Sequence, residues 1–453
     1  MQHFLRRLTG ITAIAMAGVM LGSAQTSQPA DSGQAAPAEK KKQYKDQQEY
    51  TLYDSVSKET DANKKLALLN TWKEKYADSD FKLDRLRIYL DTYQKLGQPA
   101  KMIDAAKEIL AIEPKDITSL YWITFLTPTA GNTSQDALDT AEKAARGLLV
   151  AEKPANVKDE DWTKAKAQTD GTAYTTLGWI AMQRKANDVA EENFKKALAI
   201  NPNAVQVSYW LGTVILAQKK PERQSEAMYD FARAAAYDGT GALAPDGRKQ
   251  IDTYLTKAYI LLHGDNSGLA ELKTMAKANP VPPADFKIKT AAEIAGEKDE
   301  ELKKTNPQLA LWLAIKGQLL APDGDNYFAN SMKGETLPGG AGGVTKFKGW
   351  LISAKQVKSK AGRITYPELL VSMAGKDQPA DVTLKLVGTD GTTAAPLTGK
   401  PDVGVEVEFE GTADSFTKDP AFMVTFTAEK GKITGLKVEA PAPVHHTAAK
   451  KKS

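Results

Sequence analysis

Two periodicities divide the chain. Over residues 44–320 the apolar positions recur at intervals of three and four, the spacing of one face of an α-helix. Beyond residue 343 apolar and polar positions alternate, most regularly over residues 405–410, as in a strand with one buried face. The pattern predicts an α+β multidomain protein: a helical region at residues 44–320, a Gly-rich linker at 321–343 and a small β domain at 344–439.

The helical region contains an internal repeat. Its clearest unit, residues 171–204, combines apolar and small residues on two helical segments: Tyr174, Leu177, Gly178, Ala190, Phe194, Ala197 and Pro202. A second Leu-Gly pair, Leu211-Gly212, follows 34 residues after Leu177-Gly178, and an Ala-x3-Phe-x2-Ala segment follows each pair. Gly178 is expected to let a second helix approach closely, and Phe194 to insert between small neighbours.

This pattern resembles the tetratricopeptide repeat, a helix–turn–helix unit, and departs from it at Ala181, where a large residue is common. Weaker units occupy residues 86–114 and 120–149, and residues 50–80 and 251–280 resemble degenerate outer pairs. The resemblance implies a solenoid of stacked helix pairs with a concave binding face.

The resemblance also implies which side chains line that face. They are Thr175, Trp179, Met182, Gln183, Tyr209, Thr213 and Leu216. Trp179 and Tyr209 are the aromatic anchors expected in a peptide groove, although both could instead pack against neighbouring helices. Thr175 and Trp179 stand where one subgroup of the family clamps a peptide carboxylate with Lys and Asn, so recognition of a chain terminus is disfavoured.

The β domain has six candidate strands, at residues 344–354, 364–373, 382–387, 404–411, 421–427 and 432–438. Short strands separated by turn residues predict a small antiparallel barrel or sandwich. Basic residues alternate with aromatic ones near Phe347 and Trp350, as in a single-strand nucleic-acid groove. However, residues 341–440 carry 13 basic and 12 acidic side chains, a net of +1, so no nucleic-acid partner is expected.

Residues 1–24 have the pattern of a secretory signal peptide. Arg6 and Arg7 precede an uncharged run at residues 11–21, and Gly22-Ser23-Ala24 supplies the small residues of a cleavage site. The run is shorter than the roughly 20 apolar residues that span a bilayer. We therefore expect export to the periplasm or the medium, with no membrane span in the mature chain. Residues 25–43 and 440–453 are predicted to be a disordered linker and a disordered Lys-rich tail.

Composition limits the chemistry. The chain has no cysteine, and of its four histidines only His263 falls in a predicted folded region, where a helix-end role is expected. The glycines at 339–343 lack the Gly-Lys-Ser/Thr ending of a phosphate loop, and Asp323 begins a calcium-like stretch whose twelfth residue is Gly334 rather than Glu. No cofactor or metal is expected. A hydrolase that uses carboxylates alone remains an open alternative.

These features favour a non-catalytic scaffold or adaptor of the cell envelope, which binds peptide segments of other envelope proteins in the concave groove. The alternative is a glycan- or envelope-polymer-binding protein that uses its C-terminal β domain. The oligomeric state does not follow from the sequence.

Overall fold

The computed structural model describes residues 42–360 and 362–439. These residues form two compact units, the first ending at Ala291 and the second beginning at Ala292. The predicted signal peptide, nearly all of the predicted linker at 25–43 and the predicted tail at 440–453 lie outside the described residues. Within the described ranges, no helix combines the length and the apolarity that crossing a bilayer requires.

The first unit is built from helices joined by short turns. They are α1 (Gln47–Lys58), α2 (Ala62–Lys75), α3 (Lys82–Lys95), α4 (Pro99–Ile112), α5 (Ile117–Ala130), α6 (Gln135–Leu149), α7 (Asp159–Gln183), α8 (Asn187–Ile200), α9 (Val205–Ala217), α10 (Gln224–Ala236), α11 (Pro245–His263) and α12 (Leu269–Ala278). From α1 to α10 each odd-numbered helix packs against the even-numbered helix that follows it. The terminal helices differ, because α11 and α12 both pack against α10. The predicted solenoid of helix pairs is confirmed.

The backbone repeats with the predicted period. A residue with positive φ follows the first helix of four successive pairs, at Gly97, Gly131, Lys185 and Lys219. The first two of these positions and the last two are each 34 residues apart, whereas Gly131 and Lys185 are 54 apart. The extra 20 residues (54 − 34) lie in the loop after α6 and in the first turns of α7, which is 25 residues long. Loops tolerate such insertions at small entropic cost.

Phe194 packs as the sequence predicted. Its side chain is fully buried beside Ala190 and Ala197 in the same core. A Cβ at Gly178 would lie 2.5 Å from Phe194 Cδ1, so only glycine allows α7 and α8 to approach this closely. In the next pair a Cβ at Gly212 would lie 3.1 Å from Phe231 Cε1. The same contact between a glycine and a phenylalanine therefore occurs in two successive helix pairs.

Two buried arginines cap helix C-termini in the first unit. Arg85 on α3 donates to the carbonyl oxygens of Trp72 and Tyr76, at 3.1 and 2.9 Å. Arg233 on α10 donates to the carbonyl oxygen of Ala276, at the end of α12, at 3.0 Å. A cation is favourable there because the last carbonyls of a helix carry partial negative charge. Burial lowers the pKa of both guanidinium groups.

The second unit begins with helices. They are α13 (Ala291–Thr305), α14 (Pro307–Leu320) and α15 (Gly324–Ser331). Trp312 and Leu319 of α14 are fully buried in one cluster with Phe347 and Phe426 of the sheet. The division between compact units therefore precedes the predicted end of the helical region at Leu320. The helical period identifies α14 as a helix but does not tell which core it faces.

The sheet has seven strands. They are β1 (Thr336–Leu337), β2 (Phe347–Lys358), β3 (Ile364–Ser372), β4 (Val382–Val387), β5 (Glu406–Phe409), β6 (Gly411–Thr417) and β7 (Met423–Glu429). Their order across the sheet is β1-β6-β7-β4-β3-β2-β5. The sheet is curled like half a barrel, which confirms a small β domain. It is mixed rather than purely antiparallel, since β4 and β7 run parallel. Residues 432–438 form only isolated bridges, whereas the unpredicted β6 lies in a polar stretch.

One buried carboxylate links α14 to the sheet. Asp381 is 5% exposed and accepts hydrogen bonds from Trp312 Nε1 at 2.8 Å and Lys316 Nζ at 3.2 Å. Its other oxygen accepts from the backbone N–H of Met373 at 2.9 Å. Because a buried carboxylate is costly unless its oxygens are bonded, these contacts fix the position of α14 on the sheet.

Candidate functional site

Two first helices of the solenoid, and the C-terminal half of the first helix between them, carry no charged residue. They are α5, residues 171–183 of α7, and α9. The second helices beside them are rich in charge, as α8 shows with Glu191, Glu192, Lys195 and Lys196. We call the accessible side of these uncharged segments the uncharged face. Its accessible side chains form the candidate site.

On α5 the accessible side is aromatic. Leu120, Ile123 and Thr124 are buried, and Tyr121, Trp122 and Phe125, which point the other way around the helix, are partly exposed. The Tyr121 ring lies 5.4 Å from that of Trp122 and 5.8 Å from that of Phe125. Partial burial raises the pKa of the Tyr121 hydroxyl to about 12, so it stays a neutral hydrogen-bonding group. The three rings offer apolar area with little side-chain entropy to lose.

The two aromatic anchors proposed from the sequence lie in the core. Trp179 is 5% exposed and Tyr209 is 6% exposed, and both belong to the central apolar cluster. The Tyr209 ring lies 5.8 Å from that of Phe231, and burial raises the pKa of its hydroxyl to about 12. Both residues pack against neighbouring helices, which is the alternative left open by the sequence. They support the face and expose too little area to anchor a ligand.

The other proposed groove residues keep accessible surface. Thr175, Met182, Gln183, Thr213 and Leu216 are partly exposed on α7 and α9. Whether they contact a ligand stays a prediction.

The repeat spacing relates the aromatic residues of α5 to these positions. Tyr121 and Phe125 precede Thr175 and Trp179 by 54 residues, the same step that separates Gly131 from Lys185. They are therefore equivalent positions in neighbouring repeats. A 34-residue step from Leu86 to Leu120 was the sequence signal that could have identified them, but the insertion before α7 obscures the register.

The threonine hydroxyls of the uncharged face are available as hydrogen-bond acceptors. Thr175 Oγ1 donates to the carbonyl oxygen of Gly171 at 2.8 Å, and Thr213 Oγ1 donates to that of Tyr209 at 2.8 Å. Each hydroxyl proton is thereby used within its own helix, and the oxygen lone pairs remain as acceptors. The face therefore suits a ligand that brings N–H donors, such as an extended peptide backbone.

Charge in the same repeats collects on the second helices and in the turn before α10. Arg223 donates to Glu191 at 2.7 Å and to Glu226 at 2.5 Å, and the hydrogen bond from Arg223 is the main cause that lowers the pKa of Glu191 to about 2. Asp230 lies nearby on α10, where burial raises its pKa well above the usual value. Its Oδ2 has no hydrogen-bond partner within the described residues. This network joins α8 to α10 of the next repeat.

The candidate catalytic, calcium-binding and phosphate-binding residues of the sequence lie at helix ends and in a turn. His263 is the last residue of α11; its Nδ1 lies 2.7 Å from the carbonyl oxygen of Lys289 and its Nε2 lies 3.0 Å from Ser267 Oγ. Asp323 precedes α15, and Gly339, Gly340 and Gly342 adopt positive φ in a short turn. In the described ranges, no group of three or more acidic or histidine side chains is arranged to hold a metal ion.

Comparisons with known proteins leave the family open. No protein-family model matches the chain, and no curated protein matches it. Among solved structures, a thermophilic TPR protein in Thermus thermophilus is similar to 47% of this chain and to 96% of its own length. The identity is 14% and the TM-score is 0.27. The repeat assignment therefore rests on the 34-residue spacing and the glycine–phenylalanine packing.

Proposed function

We propose that the protein is a non-catalytic interaction scaffold that binds an uncharged, apolar segment of another protein on the uncharged face. The observation that carries this proposal is the absence of charge from α5, from residues 171–183 of α7 and from α9, combined with the accessible rings of α5. Binding would cover apolar area without burying an unpaired charge, which is costly. The acceptor oxygens of Thr175 and Thr213 support an extended segment with free backbone N–H groups.

Site-specific photo-cross-linking tests the proposal directly. Phe125 is replaced by the photoreactive residue p-benzoylphenylalanine, which keeps an aromatic ring at that position, and the protein is irradiated in intact cells. The matched control carries the same residue at Trp162, which is partly exposed outside the uncharged face. We expect a protein cross-linked from position 125 and absent from position 162.

A Trp122→Ala substitution added to the position-125 probe should abolish the cross-link while far-UV circular dichroism stays unchanged. The same products from positions 125 and 162, or none from either, would contradict binding on this face.

We further propose that the scaffold acts in the cell envelope after export. The supporting observation is the signal-peptide pattern of residues 1–24. The mass of the protein recovered from an osmotic-shock fraction should correspond to a chain that begins at Gln25. A full-length chain found only in the cytosolic fraction would contradict this part of the proposal.

A further inference from the structure

The sheet of the second unit has a face turned away from its core. Along a strand, successive side chains point to opposite faces. Leu384 and Phe426 are fully buried in the core, whereas Thr383 and Thr425 are their partly exposed neighbours. We call the side of the sheet that carries Thr383 and Thr425 the outer face.

Hydroxyl groups form two rows across this outer face. Strand pairing aligns one row as Thr383, Thr425 and Ser415, and the other as Thr427, Thr412 and Thr336. Neighbouring strands are about 4.8 Å apart, and residues two apart on one strand are about 7 Å apart. Apart from a bulge between Ala413 and Ser415 on β6, the six hydroxyls therefore form a regular grid over β1, β6, β7 and β4.

Most of these hydroxyls are free to bind a ligand. Thr336 and Thr412 share a hydrogen bond of 3.2 Å between their Oγ1 atoms. The side-chain hydroxyls of Thr383, Ser415, Thr425 and Thr427 make no hydrogen bond to another protein group among the described residues, in contrast to the helical threonines. Each free hydroxyl can donate one hydrogen bond and accept two.

An aromatic ring and a buried hydroxyl lie beside the grid. Trp350 on β2 is partly exposed and pairs across the strands with Ser372 on β3. Ser372 is 0% exposed, and its Oγ has no hydrogen-bond partner within the described part of the chain. By strand alternation this oxygen lies on the outer face, since Val371 belongs to the core. A buried hydroxyl without a partner is unfavourable, and at 0% exposure this one lies beneath the surface of the face, so Trp350 is the accessible group that a ligand can contact here.

Charges around the grid are paired. Lys348 lies 2.7 Å from Glu406, Lys385 lies 2.7 Å from Asp414, and Lys355 lies 3.1 Å from Glu368. This pairing gives the face little net field to attract a polyanion such as nucleic acid. A ligand that matches the face is electrically neutral and carries many hydroxyl groups.

We propose that the outer face binds a neutral polysaccharide. A sugar ring stacks on Trp350, and sugar hydroxyls exchange hydrogen bonds with the two threonine and serine rows. This site goes beyond the proposed scaffold function, because it lies in the second unit and does not depend on the uncharged face.

Affinity electrophoresis of the full chain tests this assignment. The protein is run in native gels that contain hydroxyethylcellulose, dextran or soluble starch, and in a gel that contains the charged polymer polygalacturonate. We expect retardation by at least one neutral polymer and none by polygalacturonate. Unchanged mobility in all three neutral gels, or retardation by polygalacturonate alone, would overturn the proposal.

Two variants connect retardation to the grid. Thr383→Val with Thr425→Val removes two hydroxyls and keeps β-branched shape, so the sheet is retained. We expect this variant to bind at least about tenfold more weakly, since each lost hydrogen bond weakens binding severalfold. The matched control, Thr253→Val, removes a helical hydroxyl that donates to the carbonyl oxygen of Lys249. Equal retardation of wild type, control and double variant would assign the binding to another surface.

Discussion

Because α7 packs closely on α8, we expect the effect of Gly178→Ala on the free energy of unfolding to change sign when the Phe194 ring is removed. A Cβ at Gly178 would lie 2.5 Å from Phe194 Cδ1 and 2.6 Å from Cε1, inside any normal carbon contact. The ring cannot move freely because Phe194 is 0% exposed. Overpacking costs about 1–3 kcal/mol, and replacing a helical glycine by alanine returns about 0.5–1 kcal/mol. We expect Gly178→Ala to lower the free energy of unfolding by about 1–2 kcal/mol.

The same substitution should have the opposite effect when the ring is absent. Phe194→Ala alone is expected to cost about 3–5 kcal/mol, because it removes a fully buried ring. In that background the new methyl group meets a cavity, so Gly178→Ala should raise the free energy of unfolding by about 0.5–1 kcal/mol.

Urea unfolding followed by far-UV circular dichroism measures all four members of the cycle. Equal m-values would show that the substitutions act on the folded state. If Gly178→Ala changes stability by the same amount with and without the Phe194 ring, the two residues are not coupled and the packing argument is refuted.

Three further predictions follow from the solenoid. Lys185 has φ of 61°, so Lys185→Gly should stabilise by about 0.5–1 kcal/mol in urea unfolding, whereas Lys196→Gly inside α8 should destabilise. Burial raises the pKa of Asp230, so its protonated form favours folding and stability falls as pH rises above the unfolded pKa of about 4. In Asp230→Asn the urea midpoint should therefore depend less on pH between about pH 4 and 8 than it does in the wild type. Burial raises the pKa of Tyr209 to about 12, so Tyr209→Phe should remove one hydroxyl from the group that ionises near pH 12 in a difference ultraviolet titration against wild type, and loss of a hydroxyl that ionises near pH 10 would contradict its burial.

The local pattern of apolar and polar residues was sufficient to predict most helices and strands and the helical repeat. A 3.6-residue or two-residue period depends only on which side of an element is apolar, so helices and most strands follow from sequence. The strand at Val382–Val387 matches the prediction at both ends. Gly178 and Phe194 were also predictable, because the same two motifs in successive repeats specify one contact between two helices.

Tertiary structure alone decided which aromatic residues remain accessible and which core each helix joins. Trp179 and Phe125 occupy equivalent repeat positions, yet one is buried and the other partly exposed. The same limit applies to α14, whose Trp312 faces the sheet, and to the parallel pairing of β4 with β7. Such contacts join residues far apart in the chain, and no local period records which distant surface will cover an apolar face.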